Sequence, residues 1–280
     1  MIRKLINLVL AFSLVPLVLF AQNDERVTKE LKLGYQKMYN LEFEDAHKIF
    51  QQWEASHPDD PLGPVSNAGA YLFDEFNRLK ILQLQLFADD DKFESREKLV
   101  PDPEIKSAFE KELAKGDDLV NKRLSVSQRD RNALFASVLA DGLRGDYAAM
   151  IEKRNLPALG YVKHSRAAAE NLLKLYPDCY DAYLAIGVEN YLLSLKPAPL
   201  RWLLRLGGAQ TSRDEGLRQL ALTAEKGYYL APYARLLLAV AAVRDQNHAK
   251  ASELLAGLSD EFPANDLLKK ELGRVDLQNR

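Results

Sequence analysis

The chain has one cysteine, Cys179, in 280 residues, so no disulfide can close within it. Its four histidines, His47, His57, His164 and His248, share no metal-binding spacing, and no His-Glu-x-x-His occurs. Neither a Gly-x-Ser-x-Gly elbow nor a phosphate-binding Gly-x-x-x-x-Gly-Lys is present. There is no basic excess: 38 Lys+Arg face 40 Asp+Glu, for a formal charge of −2. Nucleic-acid binding, which leans on a basic face to release counterions, is therefore disfavoured. No stretch alternates apolar and polar residues long enough to suggest a strand. These gaps leave an all-helical chain with no cofactor, no metal and no recognisable catalytic constellation. Carboxylates are plentiful, but spacing alone singles out no acid/base pair among them. An enzyme would need a site assembled from dispersed acidic and aromatic residues.

Long apolar runs are also scarce, and the one present is terminal. Met1–Ala21 reads as a targeting segment: Arg3 and Lys4 give a positive start, Leu5–Phe20 an apolar run broken by Pro16, and Ala21 a small residue for cleavage. The run is shorter than a comfortable membrane span, and no cysteine follows it to carry a lipid. The expectation is a signal peptide over 1–21, a mature domain over 22–280, and a periplasmic or secreted location. Membrane attachment follows only if the segment is kept. Removing it takes away Arg3 and Lys4 alone, leaving the mature chain more acidic still.

What the chain does have is a recurring spacing. Ala46 is followed four residues on by Phe50 and eight later by Pro58. The same interval returns as Ser165, Ala169, Pro177 and as Ala251, Leu255, Pro263. Upstream, Leu33-Gly34 and Leu238-Ala239 each end twelve residues before the small residue. Downstream, Asn67-Ala68, Ile186-Gly187 and Leu272-Gly273 follow the prolines at matching offsets. A Gly or Ala lets two helix backbones cross closely, an apolar residue one turn on fills the groove, and proline stops the second helix. Gly34, Gly187 and Gly273 are the expected crossing points. Hairpins of this kind cannot bury their apolar faces alone and must stack on one another.

The spacing resembles the tetratricopeptide repeat, a helix–turn–helix unit of about 34 residues. The resemblance covers Val27–Asp60 and Pro232–Arg274, more loosely Arg166–Leu195, with Pro61–Phe87 as the first helix of a further unit. Ala88–Val126 and Leu195–Thr211 depart from the period, and Trp53 stands where the family has a small residue. A fainter similarity over Pro197–Tyr229 (a proline, a Leu-rich segment, Gly207-Gly208 and Arg213-x-x-Gly216-Leu217) is to the tetratricopeptide family that includes the inclusion-body clearance protein. It brings no function with it. The first resemblance implies a right-handed helical solenoid with a non-repeat central part, of the exported bacterial type, whose first helices line a concave face.

Local signals place the helices. Asp60-Pro61 starts one carrying Tyr71, Phe73 and Phe76 and running to about Phe87. Asp102-Pro103 starts another with Ile105, Phe109, Leu113 and Val120 on one face. Ser127 with Asp130, and Ser212 with Glu215, read as capping pairs, and Gly145-Asp146-Tyr147 as a turn. Asp178–Leu195 reads as one aromatic-rich helix, and Asn265–Gln278 as a closing helix whose Lys269, Lys270, Glu271, Arg274 and Asp276 face water. All four histidines are expected at the surface.

Two candidate sites follow. On the solenoid geometry, Tyr35, Tyr39, Phe73, Asn190 and Tyr191 point to the concave wall, where tyrosine suits a protein or peptide partner. The competing reading is that these aromatics pack between helices. Second, Arg201, Trp202 and Arg205, beside Gly207-Gly208, could hold an anion or cap a pocket. That would make the protein a small-ligand or lipid-binding helical-repeat protein with residues 195–211 as cover.

Overall fold

The computed structural model describes residues 29–82, 99–195 and 212–278. All regular structure among these residues is helical. In order the helices are α1 (29–39), α2 (Phe43–Ser56), α3 (Leu62–Arg78), α4 (Pro103–Val126), α5 (Arg131–Met150) and α6 (Asn155–Leu175). A 3₁₀ turn at Tyr180–Ala182 then leads into α7 (Tyr183–Ser194), followed by α8 (Arg213–Lys226), α9 (Ala231–Arg244), α10 (His248–Glu261) and α11 (Asp266–Gln278).

Three helix ends are built alike, and proline is the reason. It disfavours the helical region for the residue before it. His57, Tyr176 and Phe262 accordingly leave the helix at φ/ψ of −130/64°, −135/73° and −122/69°. Each still donates its N–H four residues back, to Trp53, Leu172 and Leu258. Its carbonyl then accepts from the residue three further on, Asp60, Cys179 or Asn265, at 3.0 Å in every case. Inside these helices the small–apolar pairs are all buried: Ala46 and Phe50, Ser165 and Ala169, Ala251 and Leu255.

Side chains set the helix starts. Asp102 accepts from Glu104 N–H and Ile105 N–H at 2.8 and 3.2 Å with Pro103 in the first turn. Ser212 Oγ accepts from Glu215 N–H at 3.4 Å. Asp60 accepts from Leu62 N–H at 3.1 Å and from the Trp53 indole at 3.2 Å, so the large Trp53 is accommodated beside His57. Asp130, rather than Ser127, caps α5 through Ala133 N–H at 2.9 Å. Ser127 instead closes α4.

Packing runs chiefly between consecutive helices, with α3 also against α5. One apolar cluster spans α1 to α7 and takes in Tyr229 and Leu230, and a second fills α9–α11. Tyr39 touches both. Between α6 and α7, the buried Arg166 donates to Glu189 at 3.0 Å and to Glu170 at 2.8 Å. Asp181 receives the N–H groups of Tyr228, Tyr229 and Leu230 at 2.9, 3.1 and 2.8 Å, fixing the turn that starts α9.

Several expectations are corrected. Gly34 and Gly187 do sit at crossings: a Cβ on Gly34 would collide with the Phe50 ring, and one on Gly187 would lie 3.1 Å from the Gly216 carbonyl. Gly273 does not, having no heavy atom within 4 Å of that position. Helix α3 stops at Arg78, well short of Phe87, because Lys80 takes a left-handed φ of 58°. Gly145 lies inside α5, against Val162 and Tyr161 of α6, and makes no turn. No helix of the described residues is long and apolar enough to cross a membrane. The proposed signal segment, residues 1–21, lies outside the described residues.

Candidate functional site

The first and last hairpins meet. Asn40, at the end of α1, accepts the Ala264 N–H on its Oδ1 at 3.1 Å, and Asn265 Nδ2 donates to the Tyr39 carbonyl at 2.8 Å. Tyr39 Oη donates to the Tyr229 carbonyl at 3.1 Å, and its ring packs on Phe262 and Phe73. Residues more than two hundred positions apart in sequence are thus joined along one seam.

A recess opens beside this seam. Its mouth, about 290 Å³, is lined by Leu41, Asn77, Lys80, Leu82, Asp266, Leu267 and Lys270. A narrower slot of about 50 Å³ adjoins it through Leu41, Leu82 and Leu267 and is lined by Tyr39, Phe73, Tyr233, Phe262 and Glu271 among others. The mouth lies at the small end of ligand-site volumes.

Helix ends shape the recess. Leu41 has φ 62° and follows α1 in a Schellman-type end, with Glu42 N–H donating to Lys37 O at 2.9 Å. Lys80 does the same after α3, with Ile81 N–H donating to Phe76 O at 3.1 Å. On the opposite side Asn265 caps α11 by accepting from Leu267 and Leu268 N–H at 3.1 and 3.3 Å.

The charges around the mouth are unequal. Asp266 is paired with Lys269 at 3.1 Å. Glu271, 1% exposed, is held by Arg274 at 2.5 Å. Lys80 and Lys270 are exposed and have no ion-pair partner among the described residues. Counting the described residues, the mouth therefore carries net positive charge beside Leu41, Leu82 and Leu267.

Farther in, Tyr233 donates to Asp146 Oδ2 at 3.4 Å, and burial pushes the Asp146 carboxyl up to about 7. Asp146 keeps some solvent contact, so it is enclosed by surrounding protein without being sealed.

The residues expected on an open concave wall are placed otherwise. Tyr35 is buried, its hydroxyl 2.9 Å from Ser66 Oγ, and burial raises its pKa above the ordinary tyrosine range. Phe73 is buried edge-on to Tyr39 and Tyr233. Asn190 is buried and donates to Gln219 at 3.0 Å, while Tyr191 packs with Leu220 and Ala241 in a separate cluster. Tyr39 and Phe73 are brought together at the slot. Asn190 and Tyr191 are not among its lining residues. These aromatics pack between helices, and the expectation that they line an exposed groove is corrected. Arg201, Trp202 and Arg205 lie outside the described residues.

His47 is also not a simple surface residue. Its ring lies 4.0 Å from that of Tyr71, Nδ1 is 2.6 Å from Asn67 Oδ1, and buried Nε2 has no hydrogen-bond partner among the described residues. Among the described residues no group of His, Cys, Asp and Glu could hold a metal ion. Cys179 is buried and its thiol is pushed up to about 11, which makes it a poor nucleophile.

Sequence reasoning missed Lys80, Lys270, Leu41 and Leu267 as neighbours, because the two sides of the recess belong to opposite ends of the chain. It also set Glu271 in water. Of the residues around the recess, the sequence singled out Tyr39 and Phe73, though for an open wall and not for this slot. No family model matches the chain, and no curated protein or solved structure matches it either.

Proposed function

We propose that this protein is an exported, non-enzymatic scaffold of tetratricopeptide-repeat type, a right-handed helical solenoid that binds a protein or peptide partner. The supporting observation is the threefold recurrence of one helix end, with the same backbone angles and the same buried small–apolar pair before it. Recurrent hairpins that pack mainly on their chain neighbours are what a stacked binding scaffold requires. With Tyr35, Asn190 and Tyr191 buried, the partner in this reading lays a segment over the seam recess. A photo-crosslinking residue at Leu267, compared with one at exposed Lys111 on α4, tests the idea in the native cell envelope. A single protein adduct from Leu267, lost on Leu41→Asp, is expected. Adducts equal at both positions would overturn it.

A second reading has its own observation in its favour. The apolar floor and narrow slot of the recess suit a small ligand better than a broad protein surface does. In that reading the protein is a small-ligand or lipid-binding helical-repeat protein. Native mass spectrometry of material purified from its own cell is then expected to show a co-purifying small molecule.

A further inference from the structure

The recess joins two features that call for opposite ends of one molecule. Its floor, Leu41, Leu82 and Leu267, is apolar and continues into a slot walled by aromatic rings. Its lip carries Lys80 and Lys270 on opposite sides of the seam, each without an ion-pair partner among the described residues, while neighbouring Asp266 is neutralised by Lys269. Two ammonium groups unpaired within the described residues, beside an apolar slot, attract an anion with an apolar tail.

The slot narrows the choice. Its lining is mostly apolar, with Met38, Leu236, Leu258 and Leu268 beside the aromatic rings, so a peptide's backbone N–H and C=O groups would go unpaired there. An unbranched alkyl chain has no such groups.

The geometry points to a free fatty acid as the ligand of the seam recess, its carboxylate between Lys80 and Lys270 and its alkyl chain entering the slot. This deepens the second reading of function and rests on it. Because the ligand would touch α1, α3 and α11 together, it would also fasten the first hairpin to the last.

The test uses the full mature chain and isothermal titration below the micelle concentration. Dodecanoate is expected to bind saturably and more tightly than decanoate, by up to about fourfold for each added methylene that is buried. Dodecyltrimethylammonium is expected not to compete. Lys80→Glu/Lys270→Glu is expected to weaken dodecanoate at least tenfold. The charge-matched Lys48→Glu/Lys111→Glu is expected to stay within twofold of wild type. Both lysines of the recess are exposed, so circular dichroism and Tm of the double variant should match wild type. No saturable binding, equal binding of the cationic amphiphile, or equal loss in both double variants would overturn the proposal. Failure here with Leu267 crosslinks to a protein intact would overturn the fatty-acid site alone. Failure of both would remove the seam as a binding place.

Discussion

Asp146 shows how one side chain can give the fold a pH dependence. Burial pushes its carboxyl up to about 7 in the folded chain against 3.8 ordinarily, and among the described residues the Tyr233 hydroxyl is its hydrogen-bond donor. The folded state therefore holds a proton that the unfolded state has released, and stability contributed by the neutral form is lost as pH rises from about 4 to about 7. Asp146→Asn should remove that loss, so urea midpoints of variant and wild type should diverge between pH 4 and pH 7, the variant ahead at pH 7. Gly34 is constrained by space instead. Gly34→Ala drives a methyl into the Phe50 ring, and overpacking of this kind costs about 1–3 kcal/mol, measurable by denaturant unfolding. The small residue at 34 was legible in the sequence because its offset from Ala46 and Phe50 repeats. The exposure of Tyr35 and Tyr191 was not, since an aromatic at helical spacing satisfies a groove and a core equally well.

At the level of helices, the best-read features were those enforced locally. The proline ends at His57, Tyr176 and Phe262 follow from backbone sterics, and the caps at Asp102 and Ser212 from side chains within three residues. The end of α3 was missed because it relies on a residue that does not advertise it. Lys80 adopts a left-handed conformation where glycine is usual, as do Leu41, Lys153 and Gln246. Each stores roughly 1 kcal/mol of strain. Gln246 is exposed at the end of α9 with φ 57°. Gln246→Gly should raise stability by about 0.5–1 kcal/mol, seen as a higher Tm with unchanged far-ultraviolet dichroism. Helix α9 hid its orientation for another reason. Apart from Arg235 and Arg244 it is almost entirely apolar, so no polar face tells which side is inward.

Across the whole molecule, the two ends of the chain are joined by side-chain amides and by Tyr39 packed on Phe262. Asn40 and Asn265 connect the first hairpin to the last, and Asn265 also caps α11. Asn265→Ala should cost about 1–2 kcal/mol from the lost cap alone. Combined with Asn40→Ala in a double-mutant cycle, it should show a non-zero coupling energy, because both act on the same junction. Additive losses would mean that the two asparagines act independently. No sequence spacing could have revealed this meeting, which depends on how all the intervening helices pack. It has an evolutionary consequence as well. Arrays of hairpins commonly lengthen or shorten by duplicating or dropping a unit. Here, adding or dropping a helical hairpin between the two ends would carry Asn265 away from Tyr39, so the seam closes only with the intervening helices as they stand.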